Sequence, residues 1–101
     1  FGIASIEILL PLLMELVDLD ILDLNTAIAK VTSNPADILG IDSGVIRKGS
    51  AADLCIFKKE QWTLKDSKIL SSGKNNPYIG KDLHTLVDKT ICDGKIVFEN
   101  K

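Results

Sequence analysis

One histidine, two cysteines and a net charge of −2 are all that 101 residues supply of three functional signals. Each scarcity excludes something. A hydrolytic metal centre needs several His, Asp or Glu ligands converging on one point. His84, alone between Leu83 and Thr85, can form no HxH or HExxH pair and reads as a surface or half-buried structural histidine. Cys55 and Cys92 sit in apolar runs without metal-type spacing. They read as buried free thiols of a reducing cytosol, with a disulfide as the alternative. The scattered Lys and Arg give no field for a phosphate backbone, so nucleic acid is not an expected partner. No apolar run is long enough to span a bilayer, because Pro11 and Glu15 interrupt Leu9 to Val17; no membrane partner is expected.

The opening stretch, Phe1 to Glu7, has no initiator Met and no basic residues before its apolar ones. It does not read as a secretory signal, and the expected location is cytoplasmic. A chain that opens on Phe in mid-pattern reads as part of something longer. Hydrophobic content of 46% with 26% charged residues is that of a globular protein and excludes a disordered segment.

Helical spacing dominates as far as Ile41. Leu9, Leu10, Leu13, Leu16 and Val17 predict one buried stripe. Pro11 belongs near the start of that helix, leaving Ile3 to Leu9 as loop; a start at Ser5 would make Pro11 a kink. Asp18 to Asp23 is an acidic connection, after which Asn25 is expected to cap a second helix through Ala27, Ile28 and Val31. From Gly44 the pattern changes to strand. Ala52 to Phe57 is apolar on both alternating faces, which predicts a strand covered on both sides. Trp62-Thr63-Leu64 reads as a second short strand, and Lys68 to Asn76 as loop. Val87 to Cys92, the turn Asp93-Gly94 and Lys95 to Phe98 make the clearest hairpin, because Asp-Gly suits a two-residue turn with positive φ. Short helices with so apolar a stripe need a large partner surface.

Chemistry is hard to find on these residues. Asp18, Asp20 and Asp23 lack the glycine and terminal Glu of a calcium loop and read as a solvated connection. Ser71 and Ser72 have no base nearby, and neither cysteine has cationic surroundings that would make a thiolate. Gly44 and Gly49 flank four residues but no Lys-Ser/Thr follows, so this is a turn and not a phosphate loop.

Two stretches are more specific. In Asn34-Pro35-Ala36-Asp37-Ile38-Leu39-Gly40, Asn34 can cap, Pro35 suits the first helical position and Gly40 fits just past the end. In Gly44-Val45-Ile46-Arg47-Lys48-Gly49-Ser50-Ala51-Ala52-Asp53-Leu54, two glycines free to take positive φ deliver the chain into a strand. In this order and spacing the two resemble the C-terminal region of the amidohydrolase superfamily. Phe1-Gly2-Ile3 with Glu7, the run Asn75-Asn76-Pro77-Tyr78-Ile79-Gly80-Lys81-Asp82-Leu83 and the final hairpin narrow the resemblance to bacterial class I dihydroorotases. Allantoinase- or hydantoinase-like cyclic amidohydrolases compete, as do structural dihydroorotase homologues without catalytic residues. Ser5-Ile6-Glu7-Ile8 and His84 depart from the family pattern.

The resemblance implies an α/β chain: residues 1–43 as terminal helices of a (β/α)8-like barrel and residues 44–101 as strands of a small β-sandwich. It implies interconversion of dihydroorotate and N-carbamoyl-L-aspartate at a zinc centre whose ligands all lie upstream of Phe1, with none in this chain. Only Phe1 and Gly2 carry over, matching a family pair that lines the substrate pocket; the alternative is a simple turn. The implied partners are the upstream barrel portion and a small-molecule substrate, and a homodimer stays open.

Overall fold

The computed structural model describes residues 8–65 and 76–100. Three helices, α1 (Leu9–Asp18), α2 (Leu24–Val31) and α3 (Ser33–Leu39), precede three strands, β1 (Leu54–Thr63), β2 (Asp82–Cys92) and β3 (Lys95–Glu99). The strands form one antiparallel sheet in the order β1-β2-β3. The result is a mixed helix and strand chain with a small antiparallel sheet.

Pro11 lies in the first turn of α1, where its missing N–H has no intrahelical partner to lose, so the helix is not kinked. The helix ends by reversal at Asp20, which takes a left-handed conformation at φ 59°. The N–H of Asp20 donates to the Val17 carbonyl at 3.0 Å and that of Ile21 to the Leu16 carbonyl at 2.9 Å. The same pair of bonds closes α3. Gly40 sits at φ 69° as its sequence position predicts, and the Ile41 N–H donates to the Ala36 carbonyl at 3.0 Å.

Both helix starts differ from expectation. Asp23, not Asn25, caps α2: its carboxylate accepts from the Thr26 N–H at 2.8 Å and from the Thr26 hydroxyl at 3.0 Å. Asp23 is extended and stands three residues before that N–H, whereas Asn25 is already inside the first turn. The backbone bond from Thr26, then its hydroxyl bond, hold the Asp23 carboxyl below its ordinary range. In α3 the helix starts at Ser33, with Asn34 and Pro35 inside the first turn and Thr32 before it. The Thr32 hydroxyl donates back to the Ile28 carbonyl at 2.7 Å, and no side chain caps α3.

The predicted stripe is the open side of α1. Ile8, Pro11 and Met14 are buried, Leu12 packs beside Ile8, Leu9 is exposed, and Leu10, Leu13, Leu16 and Val17 are half-buried. Glu15 and Asp18 explain the rotation: they face Lys81 at 3.4 Å and Lys59 at 2.9 Å, tying α1 to the chain beside the sheet along a different line. The core lies at the end of the sheet remote from the β2–β3 turn. Ile8, Leu64 and Leu83 form it, with Leu12, Trp62 and Tyr78 packed against it.

Trp62 and Thr63 belong to β1, which runs unbroken through Lys58, Lys59, Glu60 and Gln61. These polar residues lie on an edge strand where water serves them, and a register shift between Lys59 and Trp62 absorbs the misfit. The expectation of a strand covered on both sides fails among the described residues. Leu54 and Phe57 are half-buried while Cys55 and Ile56 are exposed, because α1 meets the sheet on β2 and leaves this end bare. The hairpin is as predicted, with Asp93 at φ 50° and Gly94 at φ 79°. The Lys68 to Asn76 loop lies outside the described residues except for Asn76.

Gly44 and Gly49 both take positive φ, at 81° and 92°. They differ in surroundings. A Cβ on Gly44 would stand 2.6 Å from the Thr32 carbonyl oxygen, whereas one on Gly49 would meet nothing within 4 Å. Gly49→Ala should therefore cost only its backbone strain, about 1–2 kcal/mol. Gly44→Ala should cost about 1–3 kcal/mol more, through the clash with the α2–α3 junction. Urea unfolding of the two variants checks the order.

Candidate functional site

Phe1 and Gly2, the residues expected to touch substrate, lie outside the described residues, as do Ile3 to Glu7 and Asn75. Ser71 and Ser72 also lie outside the described residues, and the other residues weighed for chemistry do not converge. His84 is exposed on β2. Asp18 pairs with Lys59, Asp20 reverses the chain and Asp23 caps α2, so three nearby carboxylates have three separate tasks. Among the described residues no three His, Cys, Asp or Glu side chains are grouped to hold a metal ion. These residues do not fit a zinc centre.

Both cysteines are free and exposed, contrary to the expectation of burial. Cys55 pairs with Thr90, and Cys92 lies two residues further along β2 on the same face. Such diagonal neighbours have Cα atoms about 7–8 Å apart, beyond the usual span of a disulfide. Partial burial pushes the Cys55 thiol up, away from the thiolate form.

The glycine-punctuated stretch builds the most defined local geometry. Arg47 pairs with Asp42 across the loop, and the Ser50 N–H donates to the Arg47 carbonyl at 3.2 Å. A recess of about 30 Å³ opens between Asp42, Gly44, Ser50 and Asp53, with room for about one water. At its far side Asp53 Oδ1 accepts from the Asp93 N–H at 2.8 Å, and the Gly94 N–H donates to the Ala52 carbonyl at 3.0 Å. Ala52 and Asp53 thus clasp the tip of the β2–β3 hairpin to the start of β1. The turn signal of Asp93-Gly94 was readable, but its clasp was not, since Asp53 stands 40 residues away. Asn76, unlike the exposed Asp53, is buried. Its Oδ1 accepts from the Tyr78 N–H at 2.9 Å while its Nδ2 has no acceptor.

What the chain displays most is apolar surface. Ile38, Leu39 and Ile46 are 85%, 71% and 88% exposed around the end of α3. Ile96, Val97 and Phe98 are exposed along β3. Patches of this kind mark interaction surfaces.

A protein-family profile described as the amidohydrolase family matches residues 17–98. The chain belongs to the amidohydrolase family. Its relatives are named dihydroorotase or dihydroorotase-like protein. A dihydroorotase of Geotalea daltonii is 38% identical over 97 residues, covering 95% of this chain and 23% of the relative. A dihydroorotase of Aquifex aeolicus is 39% identical over 100 residues, covering 98% and 24%. A dihydroorotase-like protein of Pseudomonas putida is 42% identical over 98 residues, covering 92% and 23%. The chain spans about a quarter of the length of the curated relatives it matches.

The amidohydrolase profile includes the Asp53 clasp and both partners of it. Asp53→Ala removes the acceptor and should cost about 0.5–1.5 kcal/mol, while Asp53→Asn keeps an oxygen there and should cost less. Faster amide exchange at Asp93 and Gly94 in the Ala variant alone is the expected signature.

Proposed function

We propose that residues 1–101 are the C-terminal portion of a dihydroorotase, a cytoplasmic zinc-dependent cyclic amidohydrolase that interconverts dihydroorotate and N-carbamoyl-L-aspartate in pyrimidine synthesis. The observation that carries this reading is the 38–39% identity to proteins of that name along nearly the whole chain. In this reading residues 1–43 are terminal helices of the barrel and residues 44–101 are strands of a small β-sandwich. The upstream barrel portion is then the partner that covers the open stripe of α1 and the apolar end of α3. No helix among the described residues is long and apolar enough to cross a membrane.

In this reading the zinc ligands belong to the remainder of the protein. The contribution of this chain to the chemistry is substrate binding. Gly2 has no Cβ, so its main chain can approach a ligand closely, and its N–H can donate to the substrate carboxylate or a ring carbonyl. Phe1 supplies an apolar wall beside it. A fixed N–H facing developing negative charge costs no reorganisation during reaction.

A second reading is favoured by one observation: the relatives from Pseudomonas putida and Pseudomonas aeruginosa carry the name dihydroorotase-like protein. On that reading the chain belongs to a structural homologue without catalysis. Assay of the full-length gene product with zinc and dihydroorotate separates the two, turnover supporting the first and its absence the second. Residues 1–101 alone should bind no stoichiometric zinc and turn nothing over. In the full-length protein, Gly2→Val should lower kcat/KM about tenfold, roughly 1.4 kcal/mol of transition-state stabilisation, with the melting temperature nearly unchanged. An unchanged kcat/KM would make Phe1-Gly2 a turn only.

A further inference from the structure

Asp93-Gly94 is the one Asp-Gly pair in the 101 residues, and no Asn-Gly pair accompanies it. Such a pair carries a reaction of its own. The backbone nitrogen of the glycine attacks Cγ of the preceding aspartate, because glycine has no side chain to stand in the way. A bond forms between that nitrogen and Cγ, and the carboxyl hydroxyl leaves with the amide hydrogen as water. The product is a five-membered cyclic imide, which water then opens. Cleavage of the new Cγ–N bond restores aspartate. Cleavage of the original peptide C–N bond leaves the chain running through Cγ, as isoaspartate. One water is lost and one regained, and no other reactant is needed.

The surroundings of the pair decide how often that ring can close. Both residues are exposed, and a Cβ on Gly94 would meet nothing within 4 Å, so packing does not immobilise the turn. Two hydrogen bonds from the start of β1 do. The Asp93 N–H donates to Asp53 Oδ1 at 2.8 Å, and the Gly94 N–H donates to the Ala52 carbonyl at 3.0 Å. The second bond engages the attacking nitrogen itself and directs its hydrogen toward β1. Backbone conformation adds a further restraint. With Asp93 at φ 50° and Gly94 at φ 79° the two-residue turn is of type I′, in which ψ of the first central residue is about +30°. That angle sets the Gly94 nitrogen nearly opposite the Asp93 Cβ across the Cα–C bond, whereas ring closure needs the two almost eclipsed. The turn must open before it can react. Pairing of Cys92 with Lys95 fixes its ends, and the bonds to Ala52 and Asp53 hold its two central residues.

We propose that Asp93-Gly94 is a modification site, where isoaspartate forms spontaneously once the hydrogen bonds to Ala52 and Asp53 are released and is held off while they stand. The change is structural as well as chemical. Isoaspartate adds one main-chain methylene inside a two-residue loop, and loop length sets the register of a hairpin. In the sheet β3 has β2 as its one neighbour, so its register and the bonds to β1 are lost together. This inference rests on the turn alone and is independent of the dihydroorotase reading.

The test follows isoaspartate at Asp93 in the full-length gene product, incubated at physiological temperature and neutral pH in heavy-oxygen water. Peptides are then separated and weighed, since passage through the imide introduces one heavy oxygen. The native parent should react at least about tenfold more slowly than the same chain unfolded in urea, because the turn reacts only when opened. Asp53→Ala should speed the reaction about three- to tenfold, the rise in opened turn expected from losing one hydrogen bond. Asp53→Asn, which keeps an acceptor, should stay within about twofold of the parent. Gly49→Ala is the control for lost stability, since it strains the backbone at φ 92° away from these bonds; it should also stay within about twofold. The proposal is overturned if Asp53→Ala reacts at the parent's rate, or if Gly49→Ala speeds the reaction equally. A native parent that reacts as fast as the unfolded chain overturns it too, and that comparison needs no variant to fold.

Discussion

The contact of Ile8 with Leu64 and Leu83 is what makes one body of the helices and the sheet. Each of the three side chains is essentially fully buried, and together they join the start of α1, the residue after β1 and the start of β2. Remove that contact and little apolar packing ties the two layers, since α2 packs with α1 and α3 packs with α2, and neither packs with the sheet. The Lys59–Asp18 pair is open to water on its Lys side and orients the helix more than it stabilises it, whereas the Lys81–Glu15 pair is half-buried. A small core with two flanking helices is a weak basis for an independent domain, because short chains bury too little surface to offset the entropy of ordering.

A second tie runs along the other end of the molecule. The stretch from Gly40 to Asp53 leaves α3 by a left-handed reversal, folds back so that Gly44 lies against the Thr32 carbonyl, and ends in the clasp on Asp93 and Gly94. The first point requires a positive φ, the second leaves no room for a Cβ, and the third requires an acceptor. This explains why the stretch is recognisable in sequence although it carries no reacting group. Its task is to deliver the chain from helices to sheet in one geometry, which leaves the apolar residues Ile38, Leu39 and Ile46 facing outward together with Ile96 and Val97.

Much of the fold was legible in the residues, and the misses have physical causes. Gly40 and Asp93-Gly94 signalled their turns because few residues tolerate positive φ. Asp20 ends α1 in the same manner without announcing it, since Asp adopts that conformation only sometimes. Asn25 and Asp23 are both good caps two residues apart, and only the position of the Thr26 N–H chooses between them. The helical period of α1 was clear, but which apolar residues face inward depends on Leu64 and Leu83, 56 and 75 residues after Ile8. The same distance hid the Ile8 contact. As for the candidate site, Phe1 and Gly2 stood out through family resemblance alone, because a Phe-Gly pair has no chemistry that spacing can reveal.

The central claim is that this chain is a dependent part of a larger amidohydrolase, with its exposed apolar faces completed by the remainder. Urea unfolding of residues 1–101 alone, followed by near-ultraviolet circular dichroism at a concentration where the chain is monomeric, tests it most directly. The account predicts no cooperative transition, or one already complete at low denaturant, because the core around Ile8 is too small to hold the layers unaided. A steep two-state transition at several molar urea, from a monomer, would contradict it.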